Sequence, residues 1–208
     1  MRQTETLIDS LAHEGGAPPA GALARFAGPL VVAALLCALG VSLVLEGAFS
    51  SSAINGYAPI FVKWGFSIAL VLLSGSALWA IGHPGKRTGG ALIALSVPFI
   101  LVAILLALDL AVGERTFPGE TWRRCLSAMT IMSPLAFAGA IMATRWLAPT
   151  NLRLAGLAAG LFGGAVAMTA YSPYCPELGM AYMAVFYCLP ILAMAGIGWM
   201  IGPRLLRW

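Results

Sequence analysis

Apolar residues come in six long runs along this chain, at Phe26 to Leu45, Ile60 to Ile81, Gly90 to Val112, Leu126 to Trp146, Leu152 to Tyr171 and Tyr182 to Ile201. Each is close to the roughly 20 residues that an α-helix needs to cross about 30 Å of hydrocarbon. The pattern predicts an all-α integral membrane bundle of six transmembrane helices over residues 26–208. Short connections make neighbouring helices antiparallel and leave no room for a second domain there. Ahead of the bundle, residues 1–25 are polar. Within them, Thr4 to Glu14 place Leu7, Ile8, Leu11 and Ala12 on one helical face, with Glu5, Asp9 and Ser10 elsewhere, and Thr4 is suited to cap the first turn. The expected short helix is marginal alone in water at about eleven residues, so a partner or the membrane surface has to supply the missing stability. Gly15-Gly16 ends it, and Ala17-Pro18-Pro19-Ala20-Gly21 is a spacer.

The fifth run differs from the rest. Gly156, Gly160 and Gly164 recur every fourth residue beside a second small row at Ala159, Gly163 and Ala167, so other backbones can approach closely. It reads as the central packing helix within one subunit, and the oligomeric state is left open. Pro98, Pro134 and Pro190 fall inside predicted helices and are expected to kink them.

Composition agrees with this pattern: 60% of the 208 residues are hydrophobic and 10% charged. The mean hydropathy is +0.90. The net charge of +4 does not form a basic stripe, so direct nucleic-acid binding is not expected. The basic residues instead flank the runs. Arg2, Arg25, Lys86, Arg87, Arg145, Arg153, Arg204 and Arg207 lie on one side, and Lys63, Arg115, Arg123 and Arg124 on the other. That imbalance predicts both termini in the cytoplasm. The N-terminus lacks the basic-then-apolar order of a cleaved signal peptide and is expected to stay on the protein.

Candidate chemistry is confined to the opposite, periplasmic side. Cys125 follows Arg123 and Arg124 at the start of the fourth helix, where a helix N-terminus and two guanidinium groups favour a thiolate. Cys175 lies in Tyr171-Ser172-Pro173-Tyr174-Cys175-Pro176-Glu177, where two prolines restrict the sulfur. If helices four and five are neighbours, the two thiols share one face, able to form a disulfide or to hold a soft metal ion, with Glu177 a candidate third ligand. Cys37 and Cys188 sit deep in apolar runs as packing residues. Glu46, Lys63 and Asp109 are expected to form an ionic cluster near the same surface. His13 and His83 have no cysteine partners that would make a haem or zinc set, so no resident cofactor is expected. No nucleophile stands with a base and no Cys-x-x-Cys occurs, so the chain is not expected to be an enzyme. The absence of charge at the predicted midplanes disfavours a small transporter or channel, which remains the competing class.

These residues together resemble the NrsF-type bacterial membrane anti-sigma factors. The likeness rests on Thr6-Leu7-Ile8-Asp9 with Leu11-Ala12, Pro59 to Lys63, Trp122-Arg123-Arg124-Cys125, Ala148-Pro149 before the glycine-rich helix, Cys175-Pro176-Glu177, and the closing Leu206-Arg207-Trp208. One departure is the proline-rich approach to the second cysteine, Tyr171-Ser172-Pro173-Tyr174. The resemblance implies a protein of the bacterial inner membrane that sequesters an extracytoplasmic-function (ECF) sigma factor through residues 1–25. Leu7, Ile8 and Leu11, the apolar face of the short N-terminal helix, are then the expected docking face. The resemblance also implies release of the sigma factor on a heavy-metal or oxidative signal sensed at Cys125 and Cys175.

Overall fold

The computed structural model describes residues 4–6, 9, 21–49, 56–83, 89–112, 119–147, 149–177 and 179–207. These are helical apart from turns and short connections, and six of the helices are long and apolar enough to cross a membrane: α1 (Ala22–Val44), α2 (Ala58–Ile81), α3 (Gly89–Val112), α4 (Trp122–Arg145), α5 (Leu152–Tyr171) and α6 (Met180–Leu205). The protein is a multi-pass membrane bundle. Residues 4–6 and 9 are helical, while Leu7, Ile8 and Leu11 lie outside the described residues.

The sequence places α5 to within a residue, because Asn151 caps it through Leu154 N–H at 3.1 Å and Ser172-Pro173-Tyr174 turns it into a single 3-10 turn. Its centre lies in the core: α4 and α6 pack on it most closely, α2 follows, α1 lies mainly on α4, and α3 on α2 and the start of α6. Glycine makes this packing possible. A Cβ at Gly156 would meet the backbone of Gly198 and Gly202, one at Gly160 the backbone of Met194 and Ala195, and one at Gly164 the Cα of Ile191. The Gly156 row therefore belongs to α6. Gly163, on the second small row, faces the carbonyl of Ser133 and the backbone of Phe137 in α4. One further close crossing joins α1 to α4, where Gly139 lies against Ala33 and the carbonyl of Pro29.

Several buried hydroxyls are taken up by their own helices. Ser67, Ser74 and Thr144 each bond to carbonyls of their own helix three or four residues back. Between α1 and α2, above α5, lies an apolar cavity of about 500 Å³ whose walls include Leu35, Phe49, Trp64, Val166 and Tyr174.

Pro98 and Pro134 lie inside α3 and α4 as the sequence predicts. Near Pro190 the perturbation is more specific: residues Ala184–Cys188 form a π-helical turn just before it. Proline has no N–H for the carbonyl four residues back, that of Phe186, so the regular α-helical ladder cannot run through this point.

Candidate functional site: a buried thiol pair

Cys125 sits in the first turn of α4 and Cys175 in the connection between α5 and α6, at the same end of the bundle. Contact between α4 and α5 brings the two together, and their sulfurs act on each other electrostatically. Both are free thiols. Neither is at the surface: Cys125 is 0% and Cys175 2% exposed. An outward-facing pair was the expectation from the sequence, and the helix explains the difference for Cys125. Successive residues of an α-helix are separated by about 100°, so with Arg123 and Arg124 exposed, Cys125 turns inward. Its Sγ donates to the carbonyl of Phe186 in the π-helical turn at 3.7 Å. Arg123 lies over the Trp122 ring instead, 5.2 Å from its centroid. Lys63 is a cation on the inner side of the pair.

Lys63 itself is 6% exposed, and its ammonium donates to the carbonyls of Cys175 at 3.2 Å and of Glu177 at 2.5 Å. It thus ties the cysteine-bearing connection to α2, rather than joining Glu46 and Asp109 in the expected ionic cluster. The reason is geometric: the connection's carbonyls have no helical partners, and a buried ammonium with three donors satisfies them.

Glu177 is likewise committed elsewhere than expected. One oxygen of its carboxylate accepts from the amides of Glu120 (2.9 Å) and Thr121 (3.1 Å) and from the Thr121 hydroxyl (3.1 Å). These donors lead into α4, so the carboxylate caps that helix from across the bundle, where the positive end of the helix dipole also favours it. Gly119 makes room, since its φ is +78° and a Cβ there would stand 2.7 Å from the Glu177 carboxylate. Among the described residues no three His, Cys, Asp or Glu side chains gather into a metal-binding group. The two thiols remain the soft donors, and Glu177 would have to leave α4 to join them.

A third tether reaches α1. Phe49 holds a left-handed backbone, φ 62°, that bulky side chains rarely adopt. Its N–H donates to the Pro173 carbonyl at 2.8 Å, and its ring meets Trp64 edge-on at 5.8 Å. The connection bearing Cys175 is therefore held by α1, α2 and α4 together. Around the thiols stand three buried tyrosines, Tyr171, Tyr182 and Tyr187. Sequence reasoning missed them, although their spacing after the glycine-rich helix placed all three near the same membrane surface.

A sequence profile of the family described as "Negative regulator of sigma F" (NrsF) matches residues 11–208. The chain belongs to the NrsF family. It is 35% identical to the probable anti-sigma-F factor NrsF of Azospira oryzae, over 99% of this chain and 100% of that protein. It is 36% identical to the anti-sigma-F factor NrsF of Caulobacter vibrioides, again over 99% and 100% of the two chains. No solved structure matches. For this NrsF-family member the likeness spans the whole bundle, including both cysteine segments.

Proposed function

We propose that this protein is a membrane anti-sigma factor that binds an ECF sigma factor at the bacterial inner membrane. In this reading it releases the sigma factor when Cys125 and Cys175 meet a soft metal ion or an oxidant arriving from the periplasm. The observation that carries the reading is the full-length likeness to proteins named anti-sigma-F factors. The buried thiol pair, tied to three helices, adds an input. The protein binds and releases; it catalyses nothing. Either trigger balances simply: a metal ion displaces the two thiol protons into water, and an oxidant takes two electrons and two protons from the pair to leave one S–S bond. A small channel is the competing reading, and backbone-to-backbone packing along α5 speaks against a lumen there.

Docking is assigned to Leu7, Ile8 and Leu11, each of which contributes roughly 1.5 to 3 kcal/mol when fully buried against a partner. Affinity purification of the wild type from membranes is expected to recover a sigma factor. Leu7→Asp or Leu11→Asp is expected to lose it and to raise transcription from its promoters without any signal. A wild-type preparation free of sigma factor removes the proposed function, whereas retention by both variants moves only the docking surface, toward the α2–α3 and α4–α5 connections.

Orientation is proposed from the basic residues. Reporters fused after Gly16, Lys86 and Trp208 are expected to read as cytoplasmic, and those after Ser52, Gly119 and Leu178 as periplasmic. A cytoplasmic reading after Gly119 would put the thiols on the wrong side for a periplasmic signal.

A further inference from the structure

Lys63 carries a positive charge into the bundle at 6% exposure, and its hydrogen-bond partners among the described residues are two neutral carbonyls, those of Cys175 and Glu177. The ring centroid of Tyr187 lies 6.0 Å from its Nζ. Among the described residues no carboxylate pairs with it, since that of Glu177 is held by the amides of Glu120 and Thr121. Burying a charge without an opposite one is costly, so a negative group beside Lys63 would be stabilising. An ammonium has three donors, and the two carbonyls leave one of them.

Lys63 also forms part of the wall of a cavity of about 250 Å³ at the thiol-bearing end of the bundle. The cavity lies between the starts of two membrane-spanning helices, with Ala58, Pro59 and Val62 of α2 on one side and Gly179, Met180 and Met183 at the start of α6 on the other. Neither start is capped by a side chain. First-turn amides have no partner within their own helix, and the helix dipole makes that end positive. Pro59 has no N–H, so on α2 Ala58 and Ile60 hold the free amides. Two positive helix ends and a buried ammonium thus border a space with no acidic residue in its wall. Its α6 side is open at Gly179, where a Cβ would meet nothing within 4 Å.

We propose that this cavity is an anion site for a phosphate group, with Lys63 as the charged ligand and the starts of α2 and α6 as the surrounding positive ends. Phosphate is the anion that helix N-termini commonly hold. Ala58 and Met180 are the first residues of their spans, so the cavity lies at the depth of lipid headgroups. Val62, Met180 and Met183 make much of the wall apolar, which suits a phosphodiester still attached to its glycerol and chains better than a free ion. Occupancy leaves both carbonyl bonds of Lys63 in place and offsets its charge. The site does not depend on the thiol pair being a sensor.

The test uses the full chain, purified in detergent and stripped of lipid, and reads its melting temperature against added dihexanoyl phosphatidylglycerol, dihexanoylglycerol or inorganic phosphate. The phospholipid is expected to raise the melting temperature saturably, and dihexanoylglycerol, which lacks the phosphate, to leave it unchanged. Lys63→Gln keeps a donor for the carbonyls without the charge and is expected to weaken the phospholipid about tenfold or more. Should Lys63→Gln fail to fold, Val62→Trp, which fills the cavity from an exposed position and leaves the ammonium in place, is expected to weaken it similarly. Phospholipid held at the cytoplasmic arginines would persist in both variants. A saturable shift with inorganic phosphate, lost in the same variants, would support the site with a free anion as its source. No shift with either phosphate source, an equal shift with dihexanoylglycerol, or an undiminished shift in a folded variant would overturn it.

Discussion

Cys125→Ser and Cys175→Ser are each expected to leave the sigma-dependent promoters fixed at one level, with cadmium, chromate and peroxide no longer changing it. Cys37→Ala and Cys188→Ala are expected to remain inducible. The contrast follows from position. Cys37 lies in the α1 stripe, with its thiol directed at the Met132 carbonyl, and Cys188 lies on α6, whereas Cys125 and Cys175 share one enclosed end. Energy is not limiting. A tenfold loss of affinity for a partner needs only about 1.4 kcal/mol, and a disulfide typically contributes about 2 to 4 kcal/mol. What has to change is the connection between α5 and α6, because both sulfurs are buried and Cys125 must give up the Phe186 carbonyl. That connection carries the Lys63, Glu177 and Phe49 tethers, so bonding at Cys175 pulls on α2, α4 and α1 together. The measurement is a promoter fusion in cells carrying each variant at equal membrane abundance. A double Cys125/Cys175 variant with the wild-type response would remove the sensor and leave sigma binding untouched.

Gly156→Val and Gly160→Val are expected to abolish the folded bundle, while Gly28→Ala and Gly196→Ala leave its thermal stability in detergent almost unchanged. A Cβ at Gly28 or Gly196 would meet nothing within 4 Å. At Gly156 and Gly160 it would meet backbone atoms of α6, which cannot swing aside as a side-chain end can. Overpacking a core costs typically about 1 to 3 kcal/mol even when side chains can adjust. Separating two helices along their whole contact also forfeits dispersion on both, the main attraction between helices in lipid. Unfolding followed by circular dichroism, with size exclusion to detect aggregation, separates the two pairs. Equal melting temperatures for Gly160→Val and Gly196→Ala would refute α5 as the packing centre.

Helix number, order and the special standing of α5 were legible because they depend on composition and spacing alone. A run of about 20 apolar residues has one stable form in lipid, and glycines four apart line one helical face. Where polar groups end up was not legible. Lys63 and Glu177 bond across the bundle, 112 and 57 residues along the chain from a partner, and no local pattern encodes such reach. Cys125 was placed correctly at the start of α4 but on the wrong side of it. The helix begins at Trp122, and the arginines take the outward positions. Pro190 pointed to a kink, but a π-helical turn also depends on what the neighbouring helix offers the carbonyls near it, here a thiol.

The crossing of α1 over α4 gives the bundle a fulcrum. Ala33, which lies on Gly139, is midway along α1 (Ala22 to Val44), with about 16 Å of helix to either side at 1.5 Å per residue. One arm ends beside Phe49, whose N–H is bonded to the thiol-bearing connection. The other leads back into residues 1–20. Along part of its length α1 borders an open cavity rather than α2. Held near its middle and bonded just beyond one end to the thiol-bearing connection, α1 is a direct route from that connection to the opposite membrane face.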